Sequence, residues 1–400
     1  MASMFALCFS LTSVNLKSFD TSKVTNMNNM FQSCHSLNNL DVSHFNTSQV
    51  GSFQTTFQDC YLLTSIDISN FNTSKLTIIS SMFTNCYSLT SLDFSNWKTD
   101  LVTDMSNMFQ NCSSIVSLDL SSSKTTQVRN INFMFQNCHK LEKVDLSSFD
   151  VGQVQYLSFL FQNDYSLKSL NLNNFYTKSA QSMTSIFDNF YSLTSLDITN
   201  FDTSLMTNLN NIFNNCSSLT TIDLHNFVTS DVKTMSGMFS NCRSLKSLDI
   251  SNFNTDLTYS MTYLFYNCTS LEKLELSNFN TESVFDMSYM FQNCLSLTSL
   301  DLSIFNTVNV KKLNFMFNDC CQLEYLNVDN FDTKIVVEME YTFTNCSKLE
   351  SLNLLSWNTL KCSTFVSLFD GCNNLTLLVK EDQVKNILNS LPDYIHVQKE

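Results

Sequence analysis

Apolar residues in this 400-residue chain follow a pattern that changes period and then starts again. Leu37, Leu40 and Val42 fit an L-x-x-L-x-L spacing, and Leu40 to Val42 alternates as a half-buried strand does. Val24, Met27, Met30 and Phe31 recur at i, i+3, i+6 and i+7, one face of a short helix. Ser22 is placed to cap that helix. A Phe-Asn-Thr corner precedes it, and a return turn ends each unit. Phenylalanine marks the period: Phe5, Phe31, Phe57 and so on to Phe369, fifteen copies 26 residues apart with no insertion. Cysteine follows three residues after thirteen of them; Asp164 and Phe190 stand in the other two units.

One such unit cannot bury its own apolar side, whereas stacked units can. The pattern therefore predicts an α/β repeat. It is a leucine-rich-repeat solenoid with a parallel β-sheet on the concave side and short helices on the convex side. Residues 1–372 read as one continuous solenoid of about fifteen units, the first truncated. Residues 373–400 read as a cap. In it, Val384, Ile387, Leu388 and Leu391 predict an amphipathic helix after Asp382 and before Pro392, and Tyr394 to Val397 a last strand. The open first unit is expected to expose strand edge and core, and so to invite association through that end.

The unit is specific enough to compare. Leu89-Thr90-Ser91-Leu92-Asp93-Phe94-Ser95-Asn96-Trp97, followed by Met105-Ser106-Asn107-Met108-Phe109-Gln110-Asn111-Cys112, resembles the 26-residue repeat of BspA-like leucine-rich-repeat surface proteins. The resemblance covers nearly the whole chain. It implies a cell-surface or secreted protein with a binding or adhesion role, and it implies no catalytic residues and no cofactor. Residues 1–10 lack a basic start and keep the phase of the repeat, so they do not read as a signal peptide.

Composition narrows the function classes. The chain has four glycines and one proline, where average usage would give roughly twenty-eight and twenty. No GxGxxG or GxxxxGK[ST] phosphate loop is present. The formal charge of −14 disfavours nucleic acid, itself a polyanion, and favours basic or cationic partners. No run of eighteen apolar residues predicts a membrane span. The five histidines form no cluster, and serine and aspartate recur as repeat letters, unlike the single constellation of a triad. The chain does not read as an enzyme. The cysteines offer no CxxC pair for zinc, and their column reads as buried thiols. The two aromatic columns read as core. The corner threonines, with Asn or Asp before them, read as turn formers that bond their own backbone.

The strand face carries the one candidate site. Between the second and third strand leucines runs an acidic column: Asp41, Asp67, Asp93, Asp119, Asp145, Asp197, Asp223, Asp249, Glu275 and Asp301, with Asn171, Asn327 and Asn353 as exceptions. Serines flank it two residues away on both sides. Carboxylates about 5 Å apart repel by roughly 1 kcal/mol in water-like surroundings, so the column calls for hydroxyls, water or cations. Lys143 and Lys273 stand beside it. The column reads as a ligand face for a basic or cationic protein or a polar glycan. The alternatives are a solvated face made by duplicating one unit, and a structural or cation-binding extracellular rod with no specific protein ligand.

Overall fold

The structure is a computed structural model that describes residues 1–400. It divides into two compact units, Met1–Leu205 and Met206–Glu400. Each is a parallel solenoid whose coils advance by 26 residues. In the first unit β1 (Ser117–Asp119) pairs in parallel with β2 (Lys143–Asp145), Ser117 opposite Lys143 and Asp119 opposite Asp145. In the second unit β3 (Ser247–Leu248) pairs with β4 (Lys273–Leu274), and β5 (Ser299–Asp301) with β6 (Tyr325–Asn327). The second unit ends in a three-stranded parallel sheet of β7 (Ser351–Asn353), β8 (Thr376–Val379) and β9 (His396–Lys399). Its α1 (Glu381–Leu388) buries Val384 and Ile387. Along each of β1 to β7 one leucine or valine turns inward between less buried neighbours, as in Ser117-Leu118-Asp119 and Lys143-Val144-Asp145.

A second line of parallel bridges joins the coils. It runs from Asn26 through Ser52 and Ile78 to Ser182 in the first unit, and from Asn208 through Thr234 to Thr364 in the second. Between the two lines lies the core. The Met-Phe column stacks its rings at 5.3–6.2 Å from Phe5 to Phe187. In the second unit the spacing is 5.3–5.9 Å from Phe213 to Phe369. The second aromatic column is also buried, as Phe45, Phe71, Trp97 and Phe253 show. Both aromatic columns are core, as expected.

The short helices predicted in each repeat do not form. Met27, Met30, Phe31 and Cys34 are all buried, so the helical spacing is real, but its cause is different. Alternate N–H groups leave the coil: Met27, Asn29, Phe31 and Ser33 donate to the carbonyls of Ser52, Gln54, Thr56 and Gln58 at 2.8–3.3 Å. The N–H groups between them close single turns, such as Cys34 to Phe31 at 3.2 Å. Asn29 and Ser33 both hold φ near +57°. A left-handed residue costs about 1–2 kcal/mol and stops a right-handed helix from propagating. The same two columns are left-handed in every coil, and only Gly237 and Gly371 fill them with glycine. Ser22 therefore caps no helix; its N–H is taken by Asp20 at 2.9 Å.

The corner threonines also work differently from expectation. Thr21 Oγ1 donates to Asn46 O at 3.1 Å and accepts the Asn46 N–H at 2.7 Å. The hydroxyl thus ties one coil to the next and leaves its own turn alone. The turn is closed by the preceding residue: Asn46 Oδ1 accepts the Ser48 N–H at 3.1 Å. An asparagine or aspartate oxygen bonded two residues ahead makes a turn without glycine.

Candidate functional site

The acidic column sits at the exit of each strand. Its residues are exposed except Asp145, which is half-buried. All nine aspartates use one oxygen in the same way. Each Oδ1 accepts the backbone N–H two residues on, Ser43, Ser69, Ser95, Ser121, Ser147, Thr199, His225, Ser251 and Ser303, at 2.9–3.1 Å. Glu275, one methylene longer, makes no such bond. The hydroxyl and N–H of that serine hold Asp41, Asp67, Asp119 and Asp249 below the usual carboxylate range. At Asp93 and Asp223 the N–H of Ser95 and His225 leads the same shift. Hydrogen bonding to the charged form favours it, so these carboxylates stay ionised at neutral pH. Lys143 adds to this at Asp119.

The column thus joins two roles that the sequence kept separate. Its Oδ1 atoms close the strand-exit turns. Three asparagines show what the turn itself requires: Asn171, Asn327 and Asn353 accept the N–H of Asn173, Asp329 and Leu355 at 3.1 Å. The corner needs an oxygen, not a charge.

Shallow depressions open along this face. One of about 280 Å³ lies between Asp93 and Asp119 with Ser95 and Ser121. In the second unit one of about 110 Å³ lies at Asp223 and Asp249. Another, of about 300 Å³, is lined by Lys273, Glu275, Asp301 and Tyr325. Tyr325 and Lys273 replace the serine of their column there, so this stretch departs most from the Ser-Asp-Ser strip.

Other sequence candidates are placed as follows. Every cysteine is a free thiol. In the column, Sγ donates to the carbonyl of the phenylalanine one coil back, as from Cys60 to Phe31 at 3.3 Å and from Cys268 to Phe239 at 3.1 Å. No three His, Cys, Asp or Glu side chains gather into a metal-holding group. No helix is long and apolar enough to cross a membrane. His225 bonds Asp223 at 2.7 Å on the exposed face. His35 and His139 stack on Tyr61 and Tyr165 at 4.3 and 4.9 Å. In the first unit the column just after the cysteines is therefore an outer aromatic ladder. The sequence signal for it was the shared position of those two histidines.

A fixed coil, parallel strands and an L-x-x-L-x-L core define each unit as a leucine-rich-repeat solenoid, the architecture that the BspA-like repeat implies. The chain belongs to the family described as "Mycoplasma protein of unknown function, DUF285", which matches residues 1–115, 90–195, 182–300, 248–326 and 286–391. No curated protein matches the sequence. Among solved structures, a leucine rich cell surface protein from Faecalibacterium prausnitzii A2-165 is 19% identical over 74% of each chain, with a TM-score of 0.41. The functional domain of InlJ from Listeria monocytogenes, which includes a cysteine ladder, is 13% identical over 93% of this chain and 69% of that one, with a TM-score of 0.19. The TLR13–ssRNA13 complex is 14% identical over 91% of this chain and 62% of that one, with a TM-score of 0.23.

Proposed function

We propose that this chain is a non-enzymatic interaction scaffold of the cell surface that offers its acidic strand face to a basic or cationic partner. The surface location follows the resemblance of the repeat to BspA-like surface proteins. One observation carries the binding role. Asn171, Asn327 and Asn353 close the strand-exit turn as well as aspartate does, yet ten of the thirteen positions from residue 41 to 353 keep an acid. Aligned like charges repel across neighbouring coils, a cost that asparagine avoids while closing the same turn. A partner that meets the second carboxylate oxygen supplies the compensation.

The same asparagines provide the test. Replacing Asp93, Asp119, Asp145, Asp197 and Asp223 by Asn removes five charges and keeps the turn oxygens. A control removes five exposed acids elsewhere, Asp100, Asp231, Asp256, Glu282 and Glu350. Binding to polylysine-coated surfaces and to cultured host cells is then compared. The column variant is expected to lose binding by about tenfold, as a loss of roughly 1.4 kcal/mol requires, and the control to lose little. Equal binding by both variants would remove the acidic face from the function.

A further inference from the structure

The outer aromatic ladder of the first unit has one missing rung. Phe9, His35, Tyr61 and Tyr87 follow one another at centroid distances of 4.8, 4.3 and 5.3 Å, the His35–Tyr61 pair stacked and the other two tilted by 36°. His139, Tyr165 and Tyr191 continue the same column at 4.9 and 5.0 Å. Between the two stacks stands Ser113, whose small side chain turns aside to the Tyr87 carbonyl at 3.4 Å. Coils are about 4.8 Å apart, so Tyr87 and His139 face each other across about 10 Å. A flat ring placed midway would sit about 5 Å from each, the spacing that the ladder itself uses. A depression of about 380 Å³ opens at this place, lined by Tyr87, Asn111, Ser113, Asn137, His139 and Tyr165.

The floor is polar and ordered. Asn111 donates to Asn85 Oδ1, and Asn137 to Asn111 Oδ1, each at 2.6 Å. Each amide uses one of its two N–H groups in this way, and the second is left for the hydroxyl oxygen of a tyrosine occupant. The inner rings His35, Tyr61 and Tyr165 have a ring on both faces; at the gap Tyr87 and His139 each present one face with no ring against it. Burial lowers the His139 pKa, so that wall is a neutral ring at neutral pH.

We propose that this gap is a binding slot for one aromatic side chain, Tyr, Phe or Trp, presented by a protein partner. The slot is one ring wide, and planar rings stack at 4.5–7 Å between centroids. The formal charge of −14 repels a nucleic acid, which disfavours a base as the occupant. The proposal rests on the scaffold reading only for its choice of a protein partner.

The probe is N-acetyl-tryptophanamide, titrated to on the order of 10 mM, where contacts of one ring are expected to register. Its binding is followed by the NMR signals of the His139 imidazole and the Tyr87 ring. The wild-type chain is expected to show saturable shifts at both. Ser113→Tyr supplies the rung that neighbouring coils carry, and is expected to weaken the probe by about tenfold or more. Ser113→Ala leaves the slot open and is expected to bind as wild type does. Tyr87→Ser removes a wall and is expected to bind weakly, which provides a second route if Ser113→Tyr fails to fold. The fivefold acid-to-amide variant is expected to bind the probe unchanged, so the slot and the acidic face fail separately. Unperturbed His139 and Tyr87 signals in the wild type would overturn the proposal. So would unchanged affinity in a folded Ser113→Tyr, or in Tyr87→Ser.

Discussion

Asp164 Oδ1 accepts the backbone N–H of Cys138 at 2.9 Å, from a position where thirteen other coils place a cysteine. The carboxyl is fully buried and its Oδ2 has no partner. Burial pushes its pKa well above the ordinary carboxylate value, against a smaller lowering by the Cys138 N–H. Burial therefore favours the neutral acid at Asp164 in the folded chain. Its folded pKa lies above the unfolded value, so its contribution is fully present below about pH 4. That contribution is lost as pH rises toward the folded pKa.

The first prediction is that Asp164→Cys stabilises the protein at neutral pH. The Cys138 N–H keeps a partner, since it also reaches Phe135 O at 3.1 Å. An orphaned buried polar atom costs about 1–3 kcal/mol, and the gain should be of that order. Urea denaturation at pH 5 and pH 8 checks it. The wild type should lose stability between the two more steeply than the variant does. Parallel pH dependences would show that folded Asp164 holds no proton across that window.

The second prediction concerns the thiols. Cys8 is exposed and Cys321 is partly exposed, whereas the other thirteen cysteines are buried. Burial raises the Cys34 and Cys362 thiols to about 11, and those of Cys268 and Cys320 to about 12. Only the thiolate is alkylated readily. Iodoacetamide at pH 8 should therefore add one or two groups to the native protein and fifteen to the denatured one, as counted by mass spectrometry. Extensive native labelling would contradict the buried ladder, and so would missing thiols after denaturation.

The coil length, the strands, the aromatic core and the acidic letters were all legible along the sequence. What misled was the stretch Met27, Met30, Phe31 and Cys34. Its inward spacing is shared by an α-helix and by a series of tight turns, and periodicity cannot separate them. The deciding fact is where the N–H groups go, and here alternate ones cross to the next coil. A local signal did exist. Asparagine fills the second left-handed column from Asn85 to Asn293 without a break and returns at Asn345, and it tolerates that conformation better than most residues. The role of Ser113 was harder to see. It is one small letter in a column whose meaning appears only when rings 26 residues apart are brought within stacking distance.

A third prediction tests the corner tie. Thr229 Oγ1 donates to Asn254 O at 2.8 Å and accepts the Asn254 N–H at 2.7 Å, and the residue is buried. Thr229→Val keeps the shape and removes both bonds. The expected loss is about 1–3 kcal/mol, the cost of a buried group left unpaired. The natural exception shows how the loss is limited. Where Val151 replaces the threonine, the Tyr176 N–H turns to Asn174 O at 3.1 Å. Thermal unfolding of Thr229→Val and Thr229→Ser measures the effect. Serine retains the hydroxyl and should stay closer to wild type; equal losses would point to packing of the threonine methyl.

The fourth prediction turns on the left-handed column of the second unit. Tyr263, Tyr289, Phe315 and Tyr341 all have φ between 56° and 64°, a conformation that opposes bulky side chains by about 1–2 kcal/mol each. Their rings stack at 4.5, 4.9 and 4.7 Å, and each such pair contributes about 0.5–1.5 kcal/mol. Stacking therefore offsets the backbone cost. Gly237 occupies the same column with φ of 64°, so the coil accepts glycine there. Tyr289→Ala removes two stacking contacts and keeps the strained backbone. Tyr289→Gly removes the same contacts and relieves the strain, at some cost in unfolded-chain entropy. The expected order of melting temperature is wild type, then glycine, then alanine, with glycine above alanine by about 1 kcal/mol. That reverses the usual effect of these residues in regular structure. Alanine equal to or above glycine would show that the ring ladder offsets no backbone strain at Tyr289.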